Sequence, residues 1–175
     1  SSIHYAHDFP GLFEGLRDGL DLEHVLFFGG TGDGIYETAR VADQGISALA
    51  LNSEERVRWA VSVEPGVIAD SYTAARRCGE RAQTALGGTP DFAFVMADGK
   101  ADGSRLTAGF RSAFTSPFMG GLAGDDRTFA RTYVFADGQA HYDAAAVLLG
   151  RGKINWLMNA SSGWKTVGEP GVIEA

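Results

Sequence analysis

The chain has 175 residues, a formal charge of −7 and 45% hydrophobic residues, which excludes a disordered segment and suits one domain of ordinary size. Fifteen Lys and Arg against 22 Asp and Glu, with no basic run, exclude a nucleic-acid binder that tracks phosphates. A lone Cys78 excludes an internal disulfide and a cysteine-rich zinc site, and 24 glycines without a G-x-y period exclude collagen and point to tight turns.

Reduced cytosol is the compartment this composition suits, although a disulfide-free periplasmic protein would have the same one. No run approaches 18 consecutive apolar residues, so no membrane span and no membrane partner are expected. No signal peptide is visible, and the chain opens on Ser1 rather than Met. Pro is scarce and charge is evenly spread, so residues 1–175 read as a single domain.

In chain order, Ile3, His4, Tyr5 and Ala6 read as the end of a strand. Asp8 is placed to cap a helix with Pro10 in its first turn and Leu12, Phe13, Leu16 and Leu20 on one face. Residues 24–28 read as a buried strand ended by Gly29-Gly30-Thr31-Gly32-Asp33-Gly34, and residues 35–43 fit either helix or loop. Residues 45–51 and 56–63 read as consecutive strands, the second alternating polar and apolar.

From 67 to 86 the period becomes helical, with Ile68, Tyr72, Ala75, Cys78, Ala82 and Leu86 on one stripe and Gly87-Gly88 closing it. Residues 92–96 form a strand, and Asp102 caps a helix carrying Leu106, Phe110, Ala113 and Phe114. A strand follows at 118–121, then strands at 132–135, 144–149 and 154–158, with a turn at Asp137-Gly138. The expected fold is α/β: a mixed β-sheet with helices packed on it and a β-meander in the C-terminal third.

The loop 29–34 follows a strand, where open α/β sheets bind ligands. It fails the dinucleotide fingerprint because Ile35 stands where glycine is needed, and it lacks the Lys of a phosphate loop. A plain tight turn and a ligand-lining loop both remain open. A second junction, Gly120-Gly121-Leu122-Ala123-Gly124-Asp125-Asp126, has the same form: a hydrophobic strand, Gly-Gly, then Gly-Asp. Asp125-Asp126 suits a hard cation, but local spacing supplies no further donor and Arg127 could pair with one Asp, so no metal is expected.

Residues 98–103 lack the acids of a calcium loop, and a turn plus helix cap accounts for them. His4, His7, His24 and His141 form no metal-binding pair, and Cys78 on its apolar stripe reads as an inert buried thiol. Ser161 and Ser162 beside Trp164 lack a nucleophile elbow.

Taken in order, the pieces resemble the FIST sensory domain, specifically its N-terminal region. The most specific are Gly120-Gly121-Leu122-Ala123-Gly124-Asp125, the hairpin Thr132-Tyr133-Val134-Phe135-Ala136-Asp137-Gly138, and the ending Ser162-Gly163-Trp164 with Gly168. Many members carry a cysteine in the first glycine loop, where this chain has Gly29-Gly30-Thr31. Members usually continue into a companion C-terminal region, so residues 1–175 are expected to be a fragment or short form of a longer architecture.

The resemblance implies a cytoplasmic signal-input domain, not an enzyme, that binds a small molecule such as an amino acid or related metabolite. It would serve a histidine kinase or a cyclic-di-nucleotide enzyme. On this reading the amides of Gly29, Gly30, Gly120 and Gly121, with Thr31 and Gly124 in the same loops, receive a ligand carboxylate. Asp125 or Asp126 faces an ammonium group, Ser162 adds a hydrogen bond and Trp164 walls the pocket. No cofactor is expected. The alternatives are a haem-based gas sensor, a small hydrolase using Ser161 or Ser162 with His141, and a domain that only contacts other proteins.

Overall fold

The computed structural model describes residues 3–19, 25–157, 159, 164–165, 167–168 and 171. Its centre is a four-stranded sheet in the order β4-β9-β5-β6, made of β4 (Val57–Pro65), β5 (Phe92–Ala97), β6 (Phe118–Leu122) and β9 (Ala144–Gly152). β9 runs antiparallel to both neighbours, and β5 pairs in parallel with β6.

One face of this sheet carries Ala60, Ala93, Val95, Ala97, Ala145, Val147 and Leu149, all buried under α2 (Ser71–Leu86) and α3 (Gly103–Ala113). Alternation sends Val61, Val63, Met96, Ala144 and Ala146 to the opposite face. There they meet a smaller antiparallel sheet of β1 (Phe28–Gly30), β7 (Val134–Ala136) and β8 (Gln139–His141). The small sheet is covered on its far side by α1 (Phe9–Gly19), whose Phe9 and Phe13 meet Phe135 edge-on at 5.1 and 5.4 Å. Such T-shaped contacts suit the ring quadrupoles.

Local chemistry explains the element ends. Asp70 caps α2 by accepting from Thr73 N, and Gly87 ends it in a left-handed conformation, φ 77°. Asp102 accepts from Ser104 N and Arg105 N at the start of α3. Asp137 and Gly138, φ 52° and 67°, form the tight turn between β7 and β8.

Several expectations shift. Residues 3–8 are a 3-10 turn rather than a strand end. The first strand begins at Phe28 and includes both glycines, with Gly29 opposite Phe135 and Gly30 opposite Val134 in β7. Val25 and Leu26 before it are exposed, while His24 and Leu20 lie outside the described residues. The stretch 35–43 is a short hairpin of β2 (Ile35–Glu37) and β3 (Arg40–Ala42), anchored by buried Ile35.

The helix expected from 67 starts at Ser71. Pro65-Gly66 and the turn after them instead tie to Asp143, whose carbonyl accepts from Gly66 N and whose carboxylate accepts from Ile68 N. Among the described residues, 45–51, expected as a strand, pair with no strand, and 154–157 are exposed chain, Met158 of that expected strand lying outside the described residues. The expected meander divides: β7 and β8 belong to the small sheet and β9 to the central one.

Candidate functional site

The two glycine loops meet. Loop 29–34 leaves β1 clamped to Tyr133, because Thr31 N donates to Tyr133 O at 2.9 Å and Tyr133 N donates to Thr31 Oγ1 at 3.1 Å. Loop 122–127 leaves β6 alongside β5, with Ala123 N donating to Ala97 O at 2.7 Å. The next amide, Gly124 N, then donates to Thr31 O at 3.0 Å. Glycine is required at 124 by space: a Cβ there would stand 2.9 Å from Asp33 N and 3.4 Å from Gly32.

Beyond this junction Asp125 is buried, and its carboxylate accepts from Arg127 N and Ala130 N at 2.9 Å and from Thr128 Oγ1 at 3.2 Å. Burial alone would raise its pKa, but these donors and Phe129 N outweigh it, so the carboxyl sits below its ordinary value. The carboxylate therefore organises the loop. The resulting turn puts Arg127 at φ 69° and swings its Nε to 3.2 Å from Asp33 Oδ2 of the first loop.

Together the loops bound a cleft of about 240 Å³ lined by Ile3, His4, Gly32, Asp33, Asp43, Asp126 and Arg127. Three carboxylates and one guanidinium face it, so it presents both signs of charge. Just past β5 the buried Asp98 accepts from Lys100 N at 2.9 Å and from Asp143 N at 3.1 Å, while Thr132 Oγ1 accepts from Gly99 N at 2.8 Å. These bonds tie the end of β5 to the β8–β9 turn and to the chain entering β7.

Of the residues singled out in the sequence, Asp126 lines the cleft and Gly124, Thr31 and Asp125 build its frame. Gly29 and Gly30 lie within β1, where Gly30 packs on Met96 and Tyr133 O. Gly120 and Gly121 lie in the exposed edge strand β6, outside the cleft lining. Trp164 is 91% exposed, and Ser161 and Ser162 lie outside the described residues. Asp33, Asp43, Arg127 and His4 were not singled out for the site. Asp33 stood in the quoted loop and Arg127 beside the acidic pair, but Asp43 and His4 arrive from separate elements and carry no local signal.

His141 Nε2 donates to Ala136 O at 3.3 Å within the β7–β8 hairpin, and His4 stands against carboxylates. Among the described residues no group of three or more His, Cys, Asp or Glu is arranged to hold a metal ion. A second, more open concavity of about 520 Å³ lies around Trp156, Ile154 and Asp91, away from the loop junction.

The fold is thus an α/β domain in which two strand-end loops border a polar cleft. The family model described as the FIST N domain matches residues 1–175, the whole chain, and the protein belongs to that family, a class of signal-transduction sensor domains. FIST domains usually sit in signalling proteins. Neither the curated proteins nor the solved structures contain a match to this chain. Among the described residues no helix is long and apolar enough to cross a membrane.

Proposed function

We propose that the cleft binds an amino acid or a related small metabolite and that this domain passes its occupancy to a signalling partner such as a histidine kinase or a cyclic-di-nucleotide enzyme. The observation that carries the reading is the bond from Gly124 N to Thr31 O, which joins the two loops around one cleft bearing both signs of charge.

Size and charge support a zwitterion. About 240 Å³ is below the range of roughly 300–1,000 Å³ usual for drug-sized ligands and suits a smaller guest. Arg127 and the Gly32 backbone would receive the carboxylate, and Asp126 with Asp43 the ammonium. The Arg127–Asp33 pair is solvent-exposed on both sides and so worth about 0–1 kcal/mol, little enough for a ligand carboxylate to displace it.

A thermal-shift and calorimetry panel of amino acids tests this. A ligand at 100 times its dissociation constant stabilises the fold by about 2.7 kcal/mol. Asp126→Asn and Arg127→Ala, both surface changes, are expected to abolish the shift while leaving the unliganded transition in place. A panel of amino acids without any shift overturns the reading.

A further inference from the structure

Two arginines stand side by side at the end of the central sheet away from the cleft. Arg58 and Arg151 are directly opposite in the antiparallel pairing of β4 with β9, and both are exposed. They lie by the start of β5, where Phe92 faces Gly150, whereas the loop 122–127 leaves from its far end, where Ala97 faces Leu122. Like charges facing each other across a strand pair are destabilising. No acid relieves them, although the chain carries a formal charge of −7. Arg56, Arg76, Arg81, Arg105 and Arg127 each have a carboxylate partner, and among the described residues neither Arg58 nor Arg151 has one. The carboxylate of Asp91 is engaged instead by Gly152 N at 2.8 Å.

Both side chains are held by the backbone that ends α2. Arg58 Nη2 donates to Ala85 O at 3.4 Å, and Arg151 Nη1 donates to Gly87 O at 3.0 Å. The glycines there make room for them: a Cβ on Gly87 would stand 3.4 Å from Arg58 Nη1, and one on Gly88 would press into the guanidinium of Arg151. The two guanidiniums thus border one turn, at the negative end of the helix dipole, which offsets part of their mutual repulsion. Each guanidinium carries further N–H donors, and no acceptor among the described residues engages them.

We infer that Arg58 and Arg151 form a binding site for a doubly charged phosphate group, separate from the cleft and sharing none of its lining residues. A carboxylate is filled by one guanidinium fork, whereas a phosphate monoester has about −1.5 to −2 charge and terminal oxygens enough for two forks. Side chains already bonded to backbone carbonyls give up little rotamer freedom when the anion arrives. The anion also screens one guanidinium from the other.

Titration of the whole chain with inorganic phosphate and, separately, with glycerol phosphate tests the site. NMR follows the amides of Gly87 and Gly88 and the side-chain Nε–H of Arg58 and Arg151. The expected result is a saturable shift that chloride at matched ionic strength does not reproduce, and the tighter of the two titrants tells whether the free anion or an ester is the natural form. Arg58→Gln and Arg151→Gln, both at exposed positions, should each weaken binding about tenfold or more, as loss of a charged hydrogen-bond donor does. Arg76→Gln, in a pair with Glu80, should leave it unchanged. Shifts that rise without saturating, an equal response to chloride, or unaltered binding in both Gln variants overturn the inference, and the two arginines then serve only to cap α2.

Discussion

Gly124 donates its N–H to the carbonyl of Thr31 at 3.0 Å, and Thr31 is itself held to Tyr133 through both its amide and its hydroxyl. Three separate stretches of chain thus share one buried knot, and the candidate site sits on top of it. A defect at the knot should reach both stability and binding.

Gly124→Ala is expected to destabilise the protein by about 1–3 kcal/mol, as overpacking does. The atoms a methyl would meet, Asp33 N and the Gly32 backbone, have no rotamer by which to retreat. In urea unfolding the midpoint should fall with unchanged slope. Gly121→Ala is the control: a Cβ there meets nothing within 4 Å, and the change should stay within about 0.5 kcal/mol.

Asp125→Asn should cost about 1–3 kcal/mol at neutral pH, because backbone donors aimed at a carboxylate lose its charge. The pH dependence follows from the depressed pKa. Stabilisation by Asp125 is fully present above the unfolded carboxyl value of about 4 and is lost as pH falls through the lower folded value. From neutral to strongly acid pH the unfolding free energy should fall more steeply in the parent than in the Asn variant.

Cys78 is fully buried on α2, and burial pushes its thiol up to about 12. The unfolded thiol ionises near pH 8.5, so its contribution is intact below that value and declines as pH rises toward 12. Labelling by a thiol reagent should therefore be slow in the native protein and fast after denaturant is added. Cys78→Ala should remove this alkaline component.

Gly109→Ala tests the contact of α2 with α3. Alanine gains about 1 kcal/mol of helix propensity. Its Cβ, however, would press on Tyr72 O and stand 2.8 Å from Ala75 Cβ. Overpacking of about 1–3 kcal/mol outweighs the gain, so the melting temperature should fall.

The short-range determinants were legible in the residues themselves. Asp102 as a cap, Gly87 as the stop of α2, the Asp137-Gly138 turn and the apolar stripe through Ala75, Cys78, Ala82 and Leu86 are settled by groups a few residues apart, whereas the Asp70 cap that starts α2 at Ser71 was not read. The resemblance to the FIST domain was likewise readable in the order of the glycine motifs, and the family match covers the chain.

What only the tertiary structure decided concerns groups far apart along the chain. Asp125 and Asp126 are adjacent and chemically identical. One is consumed by the amides of its own loop and the other faces the cleft, a difference made by which way the backbone turns at Arg127. Asp33, Asp43 and His4 converge because β1 pairs with β7 and the β2–β3 hairpin folds back over Ile35, and no local pattern encodes such meetings. Caps and turns depend on local dihedrals and neighbouring donors, whereas a cleft depends on long-range pairing between strands.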